Sequence, residues 1–283
     1  LDGNPALAGF FINGAAGTWS PSGNIDAGNT TIQNSGTLSV GTLDAANLTF
    51  TSGTLNASGA LTNYTNTASQ TLNLNGGSSW DAGNGPTFNG TVNLTGGSLD
   101  VQAFDASQLA SFSSGTLNLS GTLTNYTSAA NQTLNLNSGG AWDAGDNPTF
   151  IGTVNLSGGS LGVDAFDASQ LNSFTSGTLT AAGALTNLND VGTGRTVVID
   201  GGSWSPTGDI NDASVTVQNS GSLSVDAYDG TNFTFTSGTL AASGSLTNLP
   251  TLAANTTVDI TSGGSLGDAT TLDGGTLSVG SFN

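Results

Sequence analysis

The feature that most constrains this 283-residue chain is a repeat of about 62 residues. Trp19, Trp80, Trp142 and Trp204 follow one another at spacings of 61, 62 and 62. A Val-led motif returns with the same spacings at Val40, Val101, Val163 and Val225. Phe-[Thr/Ser]-Ser-Gly-Thr-Leu begins at Phe50, Phe112, Phe174 and Phe235, and Leu-Thr-Asn at Leu61, Leu123, Leu185 and Leu246. A fixed period of this length marks a stacked array whose units cannot bury an apolar face alone. The units run approximately 10–70, 71–132, 133–195 and 196–256, with a shortened 257–283 in which Leu266 replaces Trp. The array starts and stops in mid-unit and opens on Leu1-Asp2 with no Met, which reads as a piece of a longer protein.

A shorter period lies inside each unit. Thr71-Leu-Asn-Leu, Thr91-Val-Asn-Leu and Thr116-Leu-Asn-Leu each lead into a Gly- or Ser-rich turn. Apolar and polar residues alternate within them, the pattern of a half-buried strand. Gly, Asn and Ser punctuate where left-handed backbone is cheap. No useful helical periodicity is present. The pattern predicts an all-β chain, one continuous single-stranded β-solenoid over 1–283, with rungs of about 20 residues. At the inter-strand spacing, about 14 such rungs would make a rod roughly 65 Å long. Three rungs would then fill each 62-residue unit. The Trp, Val, Phe and Leu marks should therefore stack in vertical columns, one mark every third rung.

Composition fits this architecture and excludes several others. Leu, Ile, Val and Phe together make about 22% of the chain, little above the level at which a highly charged chain stays disordered. A solenoid needs only a narrow apolar interior. The 19 acidic residues are all Asp, the one basic residue is Arg195, and His, Cys and Met are absent, giving a net charge of −18. Imidazole and thiolate chemistry are excluded, and a zinc site lacks its usual ligands. So acidic a surface repels nucleic acid and anionic membranes, and no apolar run is long enough to cross a bilayer.

An enzyme is not expected. Arg195 occurs in one unit of four and reads as a surface charge. The carboxylate pairs that a glycosidase would need, Asp164/Asp167 and Asp226/Asp229, fail in the other units, where Gln102 and Gly41 hold the first position.

The phrase Gly-Thr-Val-Asn-Leu-x-Gly-Gly-Ser-Leu, at Gly90–Leu99 and Gly152–Leu161, resembles the passenger β-helices of bacterial haemagglutinin-like adhesins and autotransporters. The resemblance covers nearly the whole chain and is one of style and period. It implies a secreted, surface-associated, right-handed solenoid.

Several residues are candidates for function. Calcium takes six to eight hard oxygens, often from a Gly-containing loop. Asp143-Ala-Gly-Asp146-Asn147 suits it best, and Asp81 opens the counterpart loop. The recurrent Asp44, Asp105, Asp167 and Asp229 fit turn residues that bond their own backbone two positions on. Trp19, Trp80, Trp142 and Trp204 either pack beneath a corner or stack on a polysaccharide. Ice binding would need Thr-x-Thr in every rung, but Asn takes the second slot here. Phe10, Phe11, Ile12, Val279 and Phe282 mark two uncapped ends, which predict head-to-tail stacking of copies into a filament. The expected function is that of a non-enzymatic extracellular structural protein of a bacterial surface or matrix filament. A glycan-binding adhesin is the alternative.

Overall fold

The computed structural model is an all-β parallel β-solenoid of about 13 turns, with rungs of about 18 residues. It describes residues 10–14, 17–20, 25–26, 30–33, 35–83, 86–145, 148–189, 191–207, 210, 213–260, 264–268 and 270–279. No α-helix occurs among them; four single 3-10 turns do, the first at Ala45–Asn47. The chain divides into two compact units, residues 1–140 with 150–153, and residues 141–149 with 154–283.

In the first unit, strands stack in parallel and in register. Gly36–Val40, Gly53–Ala57, Gln70–Asn75 and the start of Thr91–Val101 form one continuous ladder. Their inward residues make a column, Trp19–Leu38–Leu55–Leu72–Val92. A second column, on the next face of the rung, runs Leu43–Leu61–Trp80–Leu99–Leu117–Leu134. Its leucines are almost wholly buried. The second unit repeats the scheme. One column there is Trp142–Leu161–Leu179–Val197–Val215–Phe233. Another is Phe166–Leu185–Trp204–Leu223–Leu240–Val258–Leu277.

These registers correct the expected phasing. Successive partners in a column lie 17 to 20 residues apart, as in Leu38–Leu55 and Leu72–Val92. A 62-residue unit is therefore about three and a third rungs, not three. Each mark steps to the neighbouring face when it recurs. Trp19 and Trp80 stand in different columns, as do Trp142 and Trp204. What stacks on one face is instead the sequence of marks within a unit, in order: the Leu or Phe before Asp, then Leu-Thr, then Trp, then two or more Leu or Val.

The glycine of the Phe-[Thr/Ser]-Ser-Gly-Thr-Leu mark has a steric cause. Gly53, Gly115, Gly177 and Gly238 have φ between +106° and +128°, a region other residues avoid. A Cβ at any of them would collide with the carbonyl of the glycine one rung earlier, Gly36, Gly97, Gly159 or Gly221.

The candidate assembly residues are only partly placed. Ile12 is buried, stacked on Ile32 within the strand Phe10–Asn13. Val279 is half-buried and stacks on Ile260. The side chains of Phe10 and Phe11, and all of Phe282, lie outside the described residues.

Column residues should dominate stability. Leu99→Ala should cost about 2–5 kcal/mol, measured by urea denaturation. Leu272→Ala, at a site 50% exposed, should stay within about 0.5 kcal/mol.

Candidate functional site

The Trp positions follow from the columns. Trp80, Trp142 and Trp204 are 3%, 6% and 2% exposed, and Trp19 is half-buried. The three buried rings present no face to a sugar, which corrects the polysaccharide-stacking expectation for them. They are corner fillers. Trp80 packs edge-on against Tyr64 at 5.3 Å and tilted against Phe88 at 5.2 Å. Phe50 and Phe104 extend this cluster at its two ends. The Trp204 indole N–H donates to the Leu188 carbonyl at 2.9 Å, so its polar edge is satisfied.

The recurrent Asp residues build turns. Each precedes a 3-10 turn, and its Oδ1 accepts the backbone N–H two residues on: Asp44 from Ala46, Asp105 from Ser107, Asp167 from Ser169 and Asp229 from Thr231, at 2.9–3.0 Å. The same oxygen accepts the side-chain amide of the Leu-Thr-Asn mark in the next rung, at Asn63, Asn125, Asn187 and Asn248, at 2.8–3.0 Å. Two recurring marks, 19 or 20 residues apart, thus form one device that pins adjacent corners. Those four asparagines sit at φ of 52° to 57°, which Asn tolerates better than most residues. The bonds hold all four carboxyls below the usual carboxylate range. For Asp105, Asp167 and Asp229 the hydroxyl residue two positions on leads, followed by the Asn. For Asp44 the Asn63 amide leads.

The calcium candidates are also turn formers. Asp81 accepts from the Gly83 N–H at 2.9 Å and Asp143 from the Gly145 N–H at 3.1 Å. Asp146 lies outside the described residues. No group of three or more acidic side chains converges among the described residues.

Two features escaped the sequence reading. The first is an outward ladder of side-chain amides. Asn56 donates to Ser39, Asn73 to Asn56 and Asn93 to Asn73, at 2.7–3.0 Å. Ser111 then donates to Asn93 at 2.8 Å. Asn in the second slot of Thr-x-Asn is thus a rung-to-rung bond. The in-register Asn was the available signal, and ladders of this kind stabilise stacked parallel strands.

The second is a buried glutamine at a corner. Gln70 accepts from the Thr67 N–H at 2.9 Å and from the Tyr64 hydroxyl at 3.2 Å, and its amide donates to the Phe50 carbonyl. Gln132 does the same with Ala129, Tyr126 and Phe112. Burial pushes the Tyr64 and Tyr126 hydroxyls up to about 12. Arg195 fills the equivalent slot: it pairs with Gly177 as Gln70 pairs with Gly53. Its guanidinium lies 5.8 Å from the centre of the Phe174 ring, within cation–π range. Arg195 is therefore a half-buried corner plug rather than a free surface charge.

Geometrically, the protein is a β-solenoid repeat protein in which recurring Asn, Asp and Gln side chains bond the next rung. Comparison with protein families, with curated proteins and with solved structures gives no match.

Two outcomes follow. The Asp corner bonds stabilise the fold most while the carboxyls are charged. Their folded-state pKa values are lowered, so this stabilisation is complete above the ordinary carboxylate pKa of about 3.9 and fades as pH falls through the folded values. Asp105→Ala should lower the melting temperature at pH 7, and the gap from wild type should close at acidic pH. Asn73→Ala removes two ladder bonds and should cost about 1–3 kcal/mol at any pH, read from chemical denaturation.

Proposed function

We propose that this chain is a non-enzymatic structural solenoid of a bacterial cell surface or extracellular matrix, adding length to a filament by head-to-tail stacking. The observation that carries the reading is the self-complementarity of the rung. Every described strand pair is parallel, and outward amides extend the pairing beyond the backbone. The strands Phe10–Asn13 and Thr276–Val279 belong to this same kind of ladder. Whatever flanks them, covalent neighbour or second copy, meets backbone groups in the register that the interior rungs use. A contact of this kind is heterologous and extends without closing. The resemblance of the Gly-Thr-Val-Asn-Leu repeats to adhesin and autotransporter passengers supports the exterior location. The charge of −18 keeps neighbouring filaments from bundling.

Negative-stain electron microscopy of the purified chain tests this reading. Thin fibres many chain lengths long, growing with concentration, are expected. A monodisperse single-chain particle at every concentration and salt level would overturn assembly in trans.

A further inference from the structure

Grooves open at equivalent corners of the solenoid, each just beyond a Trp strand. In the first unit, one of about 540 Å³ is lined by Ser20, Ser39, Gly41, Asn56, Ser58 and Asn75, with Val40 at its base. A second, of about 330 Å³, is lined by Asp81, Asp100, Gln102, Asn118, Ser120 and Asn137, around Val101 and Leu119. The second unit carries a third of about 370 Å³, with Ser205, Pro206, Ser224, Asp226, Ala241 and Ser243 around Val225 and Ala242.

The three linings correspond position by position. Each takes the residue after a Trp, the two residues flanking the recurrent Val one rung on, and the two flanking an inward Ala or Leu one rung further. The grooves are thus products of the repeat. They appear where the Trp strand, the Val strand and the Thr-Leu strand turn the same corner at successive heights.

Their chemistry is consistent. The base is a buried aliphatic side chain, and the walls are hydroxyls, joined by amides in the two grooves of the first unit and by carboxylates in two of the three. No cation lines any of the three. Three stacked strands span about 10 Å, two inter-strand spacings, which accommodates a short chain of sugar rings. Carboxylate, amide and hydroxyl oxygens can accept from adjacent sugar hydroxyls, while serine hydroxyls and, in the first unit's grooves, amide N–H groups can donate to them. A net charge of −18 disfavours an anionic ligand. We propose that these corner grooves are binding sites for neutral oligosaccharides.

The face-stepping of the repeat adds a consequence for valence. Trp19 and Trp80 stand in different columns, so the two grooves of the first unit open on different faces. One chain then holds separate glycan strands instead of following one strand along a single face. The fourth copy has lost groups. Its equivalent positions are Asp143, Gly162, Asp164, Thr180 and Ala182, with Gly and Ala where the 330 Å³ groove has Asp100 and Ser120. The proposal is independent of filament formation, since sugar binding and fibre growth are scored separately.

Isothermal titration of the full chain tests it, using neutral hexasaccharides of glucose, mannose, galactose and xylose, with a uronate hexasaccharide as the charged arm. Saturable binding of at least one neutral probe, at more than one site per chain, is expected. The double variant Gln102→Ala/Ser120→Ala changes two exposed residues and should remove one site or weaken it by about tenfold or more. Its melting temperature should stay unchanged. Gln102→Ala alone should weaken the same site if the double variant proves unstable. No neutral binding at millimolar concentration, preference for the uronate, or neutral binding unchanged in both variants would each overturn the proposal.

Discussion

The hydrogen-bonded register between successive rungs is the constraint on which everything else in this protein depends. A parallel ladder places each residue directly above its counterpart one turn earlier. Inward positions therefore stay apolar up a column, which is why Leu recurs above Leu from Leu99 to Leu117 to Leu134. Outward positions must satisfy one another or water, and the amides of Asn56, Asn73 and Asn93 do so in series. Where the register brings two backbones close at a corner, a side chain has no room, and paired glycines result. The interior is only as wide as the side chains of one turn, so an apolar fraction that would starve a globule is sufficient here. Stability in such an array is a sum over neighbouring turns rather than a property of one core.

Much of this was legible in the sequence. The alternation in Thr91-Val-Asn-Leu located strands, and the Trp and Val spacings located the repeat. The recurrent Asp residues were recognisable as turn formers from their position before short polar runs. Phase was not legible. A period of 62 divides most simply into three, and nothing in a linear text fixes how many residues one turn consumes at its corners. The structure shows that corners take fewer residues than expected. The marks then drift by one face per repeat, and Trp19 and Trp80, expected to share one column, stand in two, each stacked directly on Leu.

The residues whose packing the sequence left open or did not reveal share a cause. Trp, Gln70 and Arg195 have both apolar bulk and a polar end, so their type alone does not say which way they face. Burial of the body against a corner, with the polar end turned to a carbonyl or a ring, satisfied both halves. Gln70 and Gln132 occupy the slot that Arg195 takes in a later repeat. The slot therefore selects a long side chain with a donor at its tip rather than a charge. The carboxylates were legible as turn residues but not as cross-rung ties, because the tie depends on which Asn the register places above them.

The fractional repeat also bears on how such a gene can change. Duplicating or deleting one 62-residue unit preserves every neighbour contact at the junction, because each mark still meets the mark that precedes it. Yet everything downstream is turned by about a third of a revolution. Recombination between similar units, an ordinary event in repetitive DNA, therefore alters length and direction together. Only changes by multiples of about three units lengthen the array while leaving its outward groups pointing as before.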